Sequence, residues 1–185
     1  RLQARCRHAG RFVIGHPFNP PHLIPLVEVV GGEQTSADTI DRCIAFYRQL
    51  GKYPIRLNKE VPGHIANRLQ AALWREAIHL AAENVASVAD IDAAVSQGPG
   101  LRWALFGPHM TFNLGGGAGG LAHFMEHLLG PVQTWWDDLG TPDVTPELQR
   151  RLIEGVNAEA GSRNIADLVQ TRDAQLTALL KVLQR

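Results

Sequence analysis

The stretch Gly15-His16-Pro17-Phe18-Asn19-Pro20-Pro21, followed by the apolar run Leu26-Val27-Glu28-Val29-Val30, contains the most informative residues of the chain. His16 lies where a short strand is expected to enter a proline-rich turn. Glu28 interrupts a run whose other members favour burial, and an ionised carboxylate there is costly unless another group pairs with it. We therefore expect Glu28 to hold one ring nitrogen of His16, leaving the other free to accept a proton as a general base.

Length and charge exclude several classes of protein. The 185 residues can bury a substantial core, as one domain or as a small piece plus a larger one. Lys and Arg total 18, as do Asp and Glu, so the net charge is zero and gives no basis for binding nucleic acid or an anionic membrane. Cys6 and Cys43 have no metal or redox spacing, and no apolar stretch could span a bilayer or act as a signal peptide. We predict a cytoplasmic protein with no metal, membrane or nucleic-acid partner.

The chain changes character near Pro62. Before it, the pattern predicts three short strands and one helix, with Thr35 and Asp38 as a capping box for the helix. After it, almost every segment has helical periodicity. The strands are expected at residues 12–14, 26–30 and 53–57, and the first helix at residues 35–50. The later helices are bounded by turn and capping residues at 87–90, 97–100, 107–108, 115–117, 130–131 and 145–146.

The α/β segment is incomplete by itself. Two or three strands and one helix cannot form a doubly wound sheet, which normally has about six strands. The glycine-dense segment 115–120 has no strand before it, so we interpret it as a helix break and not as a phosphate-binding turn. The segment therefore looks like the last part of a larger domain.

Four motifs in order resemble the L-3-hydroxyacyl-CoA dehydrogenase superfamily. They are His16-Pro17-x-Asn19-Pro20, Leu26-Val27-Glu28-Val29, Gly51-Lys52-x-Pro54 and Pro62-Gly63-x-Ile65-x-Asn67-Arg68-Leu69. The resemblance covers essentially the whole chain. It implies a mainly α protein in which residues 1–60 are the C-terminal, incomplete part of a Rossmann NAD-binding domain. Residues 61–185 would be an all-helical domain for substrate binding and dimerisation.

Later segments resemble one branch of that superfamily, which acts on small free 3-hydroxy acids. These segments are Gly100-Leu101-Arg102-Trp103-Ala104, His123-Phe124-Met125 and Arg172-Asp173. Carnitine 3-dehydrogenase and the gulonate 3-dehydrogenase called lambda-crystallin belong to this branch. The resemblance implies NAD-dependent oxidation of the 3-hydroxyl of a small 3-hydroxy acid, or of a 3-hydroxyacyl-CoA, to the 3-oxo compound.

The resemblance also implies roles for three residues. His16 falls on the catalytic base of the family, Glu28 on the carboxylate that orients it, and Asn67 on the amide that completes the polar site. The serine of the family site lies upstream of this sequence. The glycine-rich motif is also absent, so no cofactor-binding residue is assigned. Because NAD would take the hydride, the protein must supply the proton acceptor, and these residue types suit that task.

Each member of the trio also has a structural explanation. His16 could be an ordinary turn residue, Glu28 could belong to an edge strand with one wet face, and Asn67 could cap or bridge elements. The chain could accordingly be a non-catalytic dimerisation module or a crystallin-like structural protein. Only a catalytic protein, however, requires the three together.

Other histidines and the tryptophans have more ordinary interpretations. His123 and His127 have zinc-like spacing, but without further ligands they are expected to face solvent or a dimer partner. His64 has no evident partner. The tryptophans are interpreted as core or interface residues, or, with Phe112, as a cage for a quaternary ammonium group. They are Trp74, Trp103, Trp135 and Trp136.

Two apolar stripes predict a homodimer. One runs from Ile65 to Ala81, and the other comprises Leu176, Leu179, Leu180 and Leu183. With most of the tryptophans, they form more apolar surface than a helical domain of this size comfortably covers. Pairing of two copies through these helices would cover the excess.

Overall fold

The computed structural model describes residues 2–183 and contains, in this part, a three-stranded sheet with one helix followed by a series of helices. The predicted order of an α/β segment and a helical region is confirmed. The strands are β1 (Val13–Pro17), β2 (Leu26–Gly31) and β3 (Tyr53–Leu57). The helices are α1 (Ala37–Gln49), α2 (Ala66–Ala82), α3 (Val88–Gln97), α4 (Pro99–Trp103), α5 (Pro108–Gly115), α6 (Gly120–His127), α7 (Leu129–Asp138), α8 (Pro146–Ala160) and α9 (Ile165–Val182).

Strand β2 is the centre of the sheet. It pairs antiparallel with β1 and parallel with β3. Val27 and Val29 are completely buried and pack with Ile40 of α1. β-Branched side chains suit such a buried, pleated surface. The interpretation of Glu28 as an edge-strand residue with a wet face is therefore wrong, because its strand is central and its side chain is 0% exposed.

A glycine in β1 allows α1 to approach the sheet closely. A Cβ atom built at Gly15 would lie 2.5 Å from Cε2 and 2.6 Å from Oη of Tyr47. Tyr47 itself packs against the cluster around Val27 and Ile40. A side chain at position 15 would thus displace an aromatic ring from the core beside the strand that carries His16.

The first helix begins one residue later than the capping-box pattern predicted. Ser36 is the N-cap, and its Oγ accepts a hydrogen bond from the Thr39 N–H at 3.2 Å. Thr35 instead donates to the Phe12 carbonyl at 2.6 Å and accepts from the Gly32 N–H at 2.8 Å. The predicted cap is wrong because the Thr35 hydroxyl connects the segments that flank β1 and β2.

The helix predicted between Ser87 and Gln97 is confirmed as α3, although Pro99 then begins a further short helix, α4. The break predicted at Gly130-Pro131 is wrong, because both residues lie in the first turn of α7. Proline is compatible with the first helical turn, because the N–H it lacks would have no intrahelical partner there. The glycine-dense segment does interrupt the helices as predicted, since Gly117–Gly119 is a 3₁₀ turn between α5 and α6 with no strand before it.

The described chain falls into two compact units. One comprises the described residues up to Ala71 together with those from Ala166 onward, and the other is Ala72–Ile165. The predicted domain boundary after residue 60 remains a prediction. In the helical unit, Ile78, Ile91 and Leu148 are buried. Helices α3 and α8 pack together there.

Polar contacts also connect separate segments of the helical unit. Glu76 accepts a hydrogen bond from the Gly140 N–H at 2.9 Å, and Arg151 donates to the Ala81 carbonyl at 2.8 Å. Both bonds satisfy backbone groups outside or at the end of a helix. Among residues 2–183, no helix is both long and apolar enough to cross a bilayer.

Candidate active site

His16 and Glu28 face each other across the β1–β2 ladder. Their Cα atoms are direct partners in the antiparallel register, and Nδ1 of His16 lies 3.1 Å from Oε2 of Glu28. The predicted hydrogen bond on adjacent strands is thereby confirmed. The His16 side chain is 33% exposed whereas that of Glu28 is 0% exposed, so the imidazole stands between a buried carboxylate and the surface.

The second oxygen of Glu28 is bound by the start of α2. Oε1 accepts hydrogen bonds from the backbone N–H groups of Ile65 at 2.7 Å and Ala66 at 3.1 Å. The first N–H groups of a helix have no intrahelical partner and carry partial positive charge, so they are a suitable site for an anion. A buried carboxylate is therefore stable here because both of its oxygens are hydrogen-bonded.

These contacts determine the charge of Glu28. Burial by itself would raise the pKa of its carboxyl group. The N–H groups of Ala66 and Ile65, the His16 hydrogen bond and the nearby His64 outweigh that effect and hold the pKa below its ordinary value. Glu28 is therefore ionised at neutral pH.

An ionised Glu28 fixes the tautomer of His16. Because a carboxylate can only accept, Nδ1 of His16 must carry the proton in the bond between them. The neutral ring then has its lone pair on Nε2, on the partly exposed side chain. Protonation of Nε2 would produce an imidazolium whose charge the Glu28 carboxylate stabilises. The pair can thus accept a proton at one defined nitrogen.

Asn67 directly follows Ala66, which binds Glu28, but has no described hydrogen bond to the His16–Glu28 pair. It is the second residue of α2, next to Ala66, and it is exposed. Within residues 2–183, no described hydrogen bond involves its side chain. The structure thus brings His16 and Glu28 together, and places the Asn67 amide in the helix turn that binds Glu28.

His64 is a site residue that the sequence analysis did not connect with His16. Its ring centroid lies 4.8 Å from that of His16, at an interplanar angle of 59°. Its Nδ1 atom is buried without a hydrogen-bond partner in the described structure. The available signal was its position directly before Ile65, in the motif that also contains Asn67.

The remaining histidines do not form a metal site. His123 and His127 stack at 4.3 Å between ring centroids, and Nδ1 of His127 lies 3.1 Å from the His123 carbonyl oxygen. His22 pairs with Asp173 of α9, with 3.4 Å between Nε2 and Oδ2. No group of three His, Cys, Asp or Glu residues in the described chain could hold a metal ion.

The four tryptophans are exposed in the single chain. Trp74, Trp103, Trp135 and Trp136 are 67%, 42%, 63% and 58% exposed. Their interpretation as core residues is therefore wrong, because none is enclosed by its own chain. Phe112 packs against Phe124 with 4.9 Å between ring centroids.

The residues present fit the proton-accepting part of a dehydrogenase site. The donor set is an imidazole with one free nitrogen, oriented by a carboxylate. The glycine-dense segment of this chain does not fit a dinucleotide, because a pyrophosphate-binding turn follows a strand whereas this segment follows a helix. We assign no residue of this chain to binding the dinucleotide.

Two family domains match most of the chain, and known proteins match nearly all of it. The NAD-binding domain of 3-hydroxyacyl-CoA dehydrogenase matches residues 1–61, and the C-terminal domain of that enzyme matches residues 63–155. An L-carnitine dehydrogenase from Nocardiopsis dassonvillei is 46% identical over 99% of this chain and 56% of its own length. One from Streptomyces coelicolor is 47% identical over 100% of this chain and 58% of its own length. The chain thus spans somewhat more than half the length of these relatives.

Solved structures have the same fold. The 5-formyl-3-hydroxy-2-methylpyridine 4-carboxylic acid 5-dehydrogenase, an NAD⁺-dependent dismutase, superposes with a TM-score of 0.74 at 29% identity, covering 99% of this chain and 59% of its own. A 3-hydroxyacyl-CoA dehydrogenase from Archaeoglobus fulgidus has a TM-score of 0.61 at 26% identity, covering 99% and 63%. Both domain matches, the relatives along the whole chain and the shared fold lead to one conclusion. The chain belongs to the 3-hydroxyacyl-CoA dehydrogenase family.

Proposed function

We propose that this chain is part of an NAD-dependent dehydrogenase that oxidises the 3-hydroxyl group of a small 3-hydroxy acid to the 3-oxo acid. The observation that carries the proposal is the 3.1 Å contact between Nδ1 of His16 and the buried Glu28 carboxylate. Such a pair stabilises an imidazolium, which a general base becomes when it accepts a proton. A purely structural protein has no need for an arrangement that costs burial of a charge.

His16 acts as the base in this proposal. Oxidation of a secondary alcohol breaks the O–H and C–H bonds at one carbon, and the C–O bond becomes a carbonyl. Nε2 of His16 accepts the hydroxyl proton while Glu28, through Nδ1, stabilises the positive charge. Bound NAD would supply the acceptor for the hydride that leaves carbon. In the reverse direction the imidazolium returns the proton to the carbonyl oxygen.

Asn67 is proposed to bind a substrate oxygen. Its amide is exposed, has no hydrogen bond within the described chain and lies in the helix turn that binds Glu28. An amide N–H donor beside the base can orient the oxygen that loses its proton. Replacement by alanine in the full-length protein should therefore raise KM or lower kcat, as measured by steady-state kinetics.

The substrate is proposed to be a free acid and not a CoA thioester. Support comes from the relatives named L-carnitine dehydrogenase, which match 99–100% of the chain. The family name itself supports a CoA thioester as the second candidate. The direct test is to assay the full-length protein with NAD against carnitine, gulonate and 3-hydroxybutyryl-CoA. Turnover of the thioester alone would contradict the free-acid proposal, and no turnover of any of them would favour a structural protein.

Residues 1–185 are not proposed to be active alone. Within the described part, residues 2–183, no glycine-rich turn joins a strand to a helix, and such a turn is the feature that binds the pyrophosphate of a dinucleotide. We therefore expect negligible affinity for NAD in a calorimetric titration of this chain. Micromolar affinity would show that other residues form a cofactor site.

We also propose a homodimer that forms through the helices. Large apolar side chains are exposed in the unit Ala72–Ile165, including Trp74, Trp135 and Trp136. Exposed aromatic side chains of this size are typical of interfaces. A cytoplasmic location is proposed with it, supported by Cys6 and Cys43, both of which are free thiols.

A further inference from the structure

A strained turn brings His64 to the His16–Glu28 pair. The backbone N–H of His64 donates to the Val61 carbonyl at 3.0 Å. Gly63 and His64 have φ values of +78° and +50°. Positive φ is uncommon outside glycine, and such outliers are concentrated at functional sites. The turn places the His64 ring 4.8 Å from the His16 ring, and the N–H groups that follow it along the chain bind Glu28.

The burial of Nδ1 determines which tautomer the neutral His64 ring adopts. Nδ1 is enclosed and has no hydrogen-bond partner among the described residues, whereas Nε2 is not enclosed in this way. A buried N–H without an acceptor is less tolerable than a buried lone pair without a donor. The neutral form of the ring therefore leaves Nδ1 unprotonated, because a proton there would be a buried N–H without an acceptor. Its single proton then resides on Nε2.

The two histidines then offer complementary groups. His16 has a free lone pair on Nε2, which accepts a proton, and His64 has an N–H on Nε2, which donates a hydrogen bond. A 3-hydroxy acid has the matching pair of groups, since its hydroxyl gives a proton and its C1 oxygen accepts a hydrogen bond two carbons away. Packing alone does not account for a histidine at position 64. A phenyl ring would pack on His16 equally well and would avoid the cost of enclosing an unpaired polar atom.

Resting on the proposed function, we propose that His64 determines substrate specificity by donating its Nε2–H to the C1 oxygen of the 3-hydroxy substrate. The C1 oxygen belongs to a carboxylate in a free acid and to a carbonyl in a CoA thioester, and both accept such a bond. His64 thereby selects hydroxyl compounds that carry an acyl oxygen at the correct distance over simple secondary alcohols.

The test uses the full-length enzyme with NAD and compares His64→Phe and His64→Gln with the wild type. His64→Phe should raise KM for the 3-hydroxy substrate by about 10- to 100-fold, the usual effect of losing a hydrogen bond to a charged or carbonyl oxygen, with kcat changed only a few-fold. His64→Gln, which retains an N–H donor, should recover part of the loss. The matched control is His8→Phe, at an exposed histidine with no described side-chain hydrogen bond.

Inhibition by compounds without the hydroxyl group separates recognition of C1 from other effects. Butyrate and butyryl-CoA should each inhibit less well in His64→Phe if they use that oxygen, and the compound with the larger loss identifies the carboxylate or the thioester. If kcat falls while KM and both inhibition constants stay constant, His64 only supports His16, and the proposal is wrong.

A spectroscopic measurement does not depend on activity. The ¹⁵N chemical shifts of the His64 ring at neutral pH should show a protonated Nε2 and an unprotonated Nδ1. A ring with its proton on Nδ1 and none on Nε2 would overturn the assignment of a donor at Nε2 even in an active enzyme. A wild-type protein that turns over no 3-hydroxy compound would instead overturn the proposed function, whatever tautomer His64 has.

Discussion

The two units of the chain differ in the kind of unfavourable group that they contain: a buried charge in one and exposed apolar side chains in the other. In the unit with the sheet, the fully buried Glu28 finds all its partners within that unit, from β1 and from the start of α2. In the unit Ala72–Ile165, Trp74 and Trp135 are more than 60% exposed. A buried charge must be paired within the fold, because leaving it unpaired costs several kcal/mol. Exposed apolar surface, by contrast, can be covered by a second molecule. We therefore expect proton transfer to take place in the first unit and dimerisation to depend on the second.

The largest effect is expected from removing the base in the sheet unit. In the full-length protein, His16→Asn should lower kcat by about 10³- to 10⁴-fold, because the hydroxyl proton then has no positioned acceptor. The affinity for NAD should be unchanged. Steady-state kinetics and calorimetric titration measure the two quantities. Near-normal turnover would mean that another group is the base.

Replacing Glu28 by glutamine should affect both activity and acid stability. The amide introduced by Glu28→Gln can still accept from the Ile65 and Ala66 N–H groups, but it would donate to Nδ1 of His16 and favour the wrong tautomer. Turnover, measured by steady-state kinetics of the full-length protein, should fall by about 100-fold or more.

Stability should respond to pH in a defined direction. Because the pKa of Glu28 is lowered in the fold, its ionised form stabilises the protein above the ordinary glutamate pKa. That contribution is lost as the pH falls through the lowered value. The melting temperature of the wild type should therefore drop more on acidification than that of Glu28→Gln. The exposed Glu33→Gln is the control and should follow the wild type. Parallel curves for all three proteins would contradict a lowered pKa.

Association should depend on the helical unit. Sedimentation of the chain at micromolar concentration should give about twice its 20.3 kDa mass. Trp135→Ser should weaken the dimer by about 30-fold, as expected for an aromatic residue at an interface centre. The control is Leu2→Ser, since Leu2 is 73% exposed but lies in the other unit. A monomer in the wild type would refute the interface.

The smallest effect concerns packing around the sheet. Gly15→Ala should destabilise the chain by about 1–3 kcal/mol, because its Cβ would lie 2.5 Å from the Tyr47 ring. Gly130→Ala in α7 has no atom within 4 Å of the new Cβ and should be neutral or stabilise by up to ~1 kcal/mol. Thermal unfolding measures both variants. Equal effects would mean that Tyr47 moves away without cost.

The sequence predicted the strands and the contact between His16 and Glu28 because both depend on short-range patterns. A lone carboxylate in an apolar strand requires a partner, and the antiparallel register places one directly opposite. Binding of Glu28 by Ile65 and Ala66 was not predicted, because those residues are 37 and 38 positions away. No local pattern reveals which buried group a helix N-terminus will contact.

His64 and the N-cap of α1 illustrate the same limit. Thr35 and Ser36 are both good capping residues, and the positions of the Phe12 carbonyl and the Gly32 N–H decide that Thr35 binds elsewhere. The position of His64 depends on a turn with two successive positive φ values, for which Gly63 is the only local signal. The catalytic roles of His16, Glu28 and Asn67 remain predictions.

The two oxygens of Glu28 connect the state of a proton to the attachment of a helix. One oxygen binds the imidazole and the other binds the first turn of α2. Loss of either contact therefore alters the stability of the same ionised carboxylate. Release of the helix turn would remove two donors from Glu28 and raise its pKa. Conversely, protonation of Glu28 would weaken its hold on the turn by the same free energy, because linkage between two binding events is reciprocal. Docking of the start of α2 therefore helps to keep Glu28 ionised, and with it the hydrogen bond that orients the His16 ring.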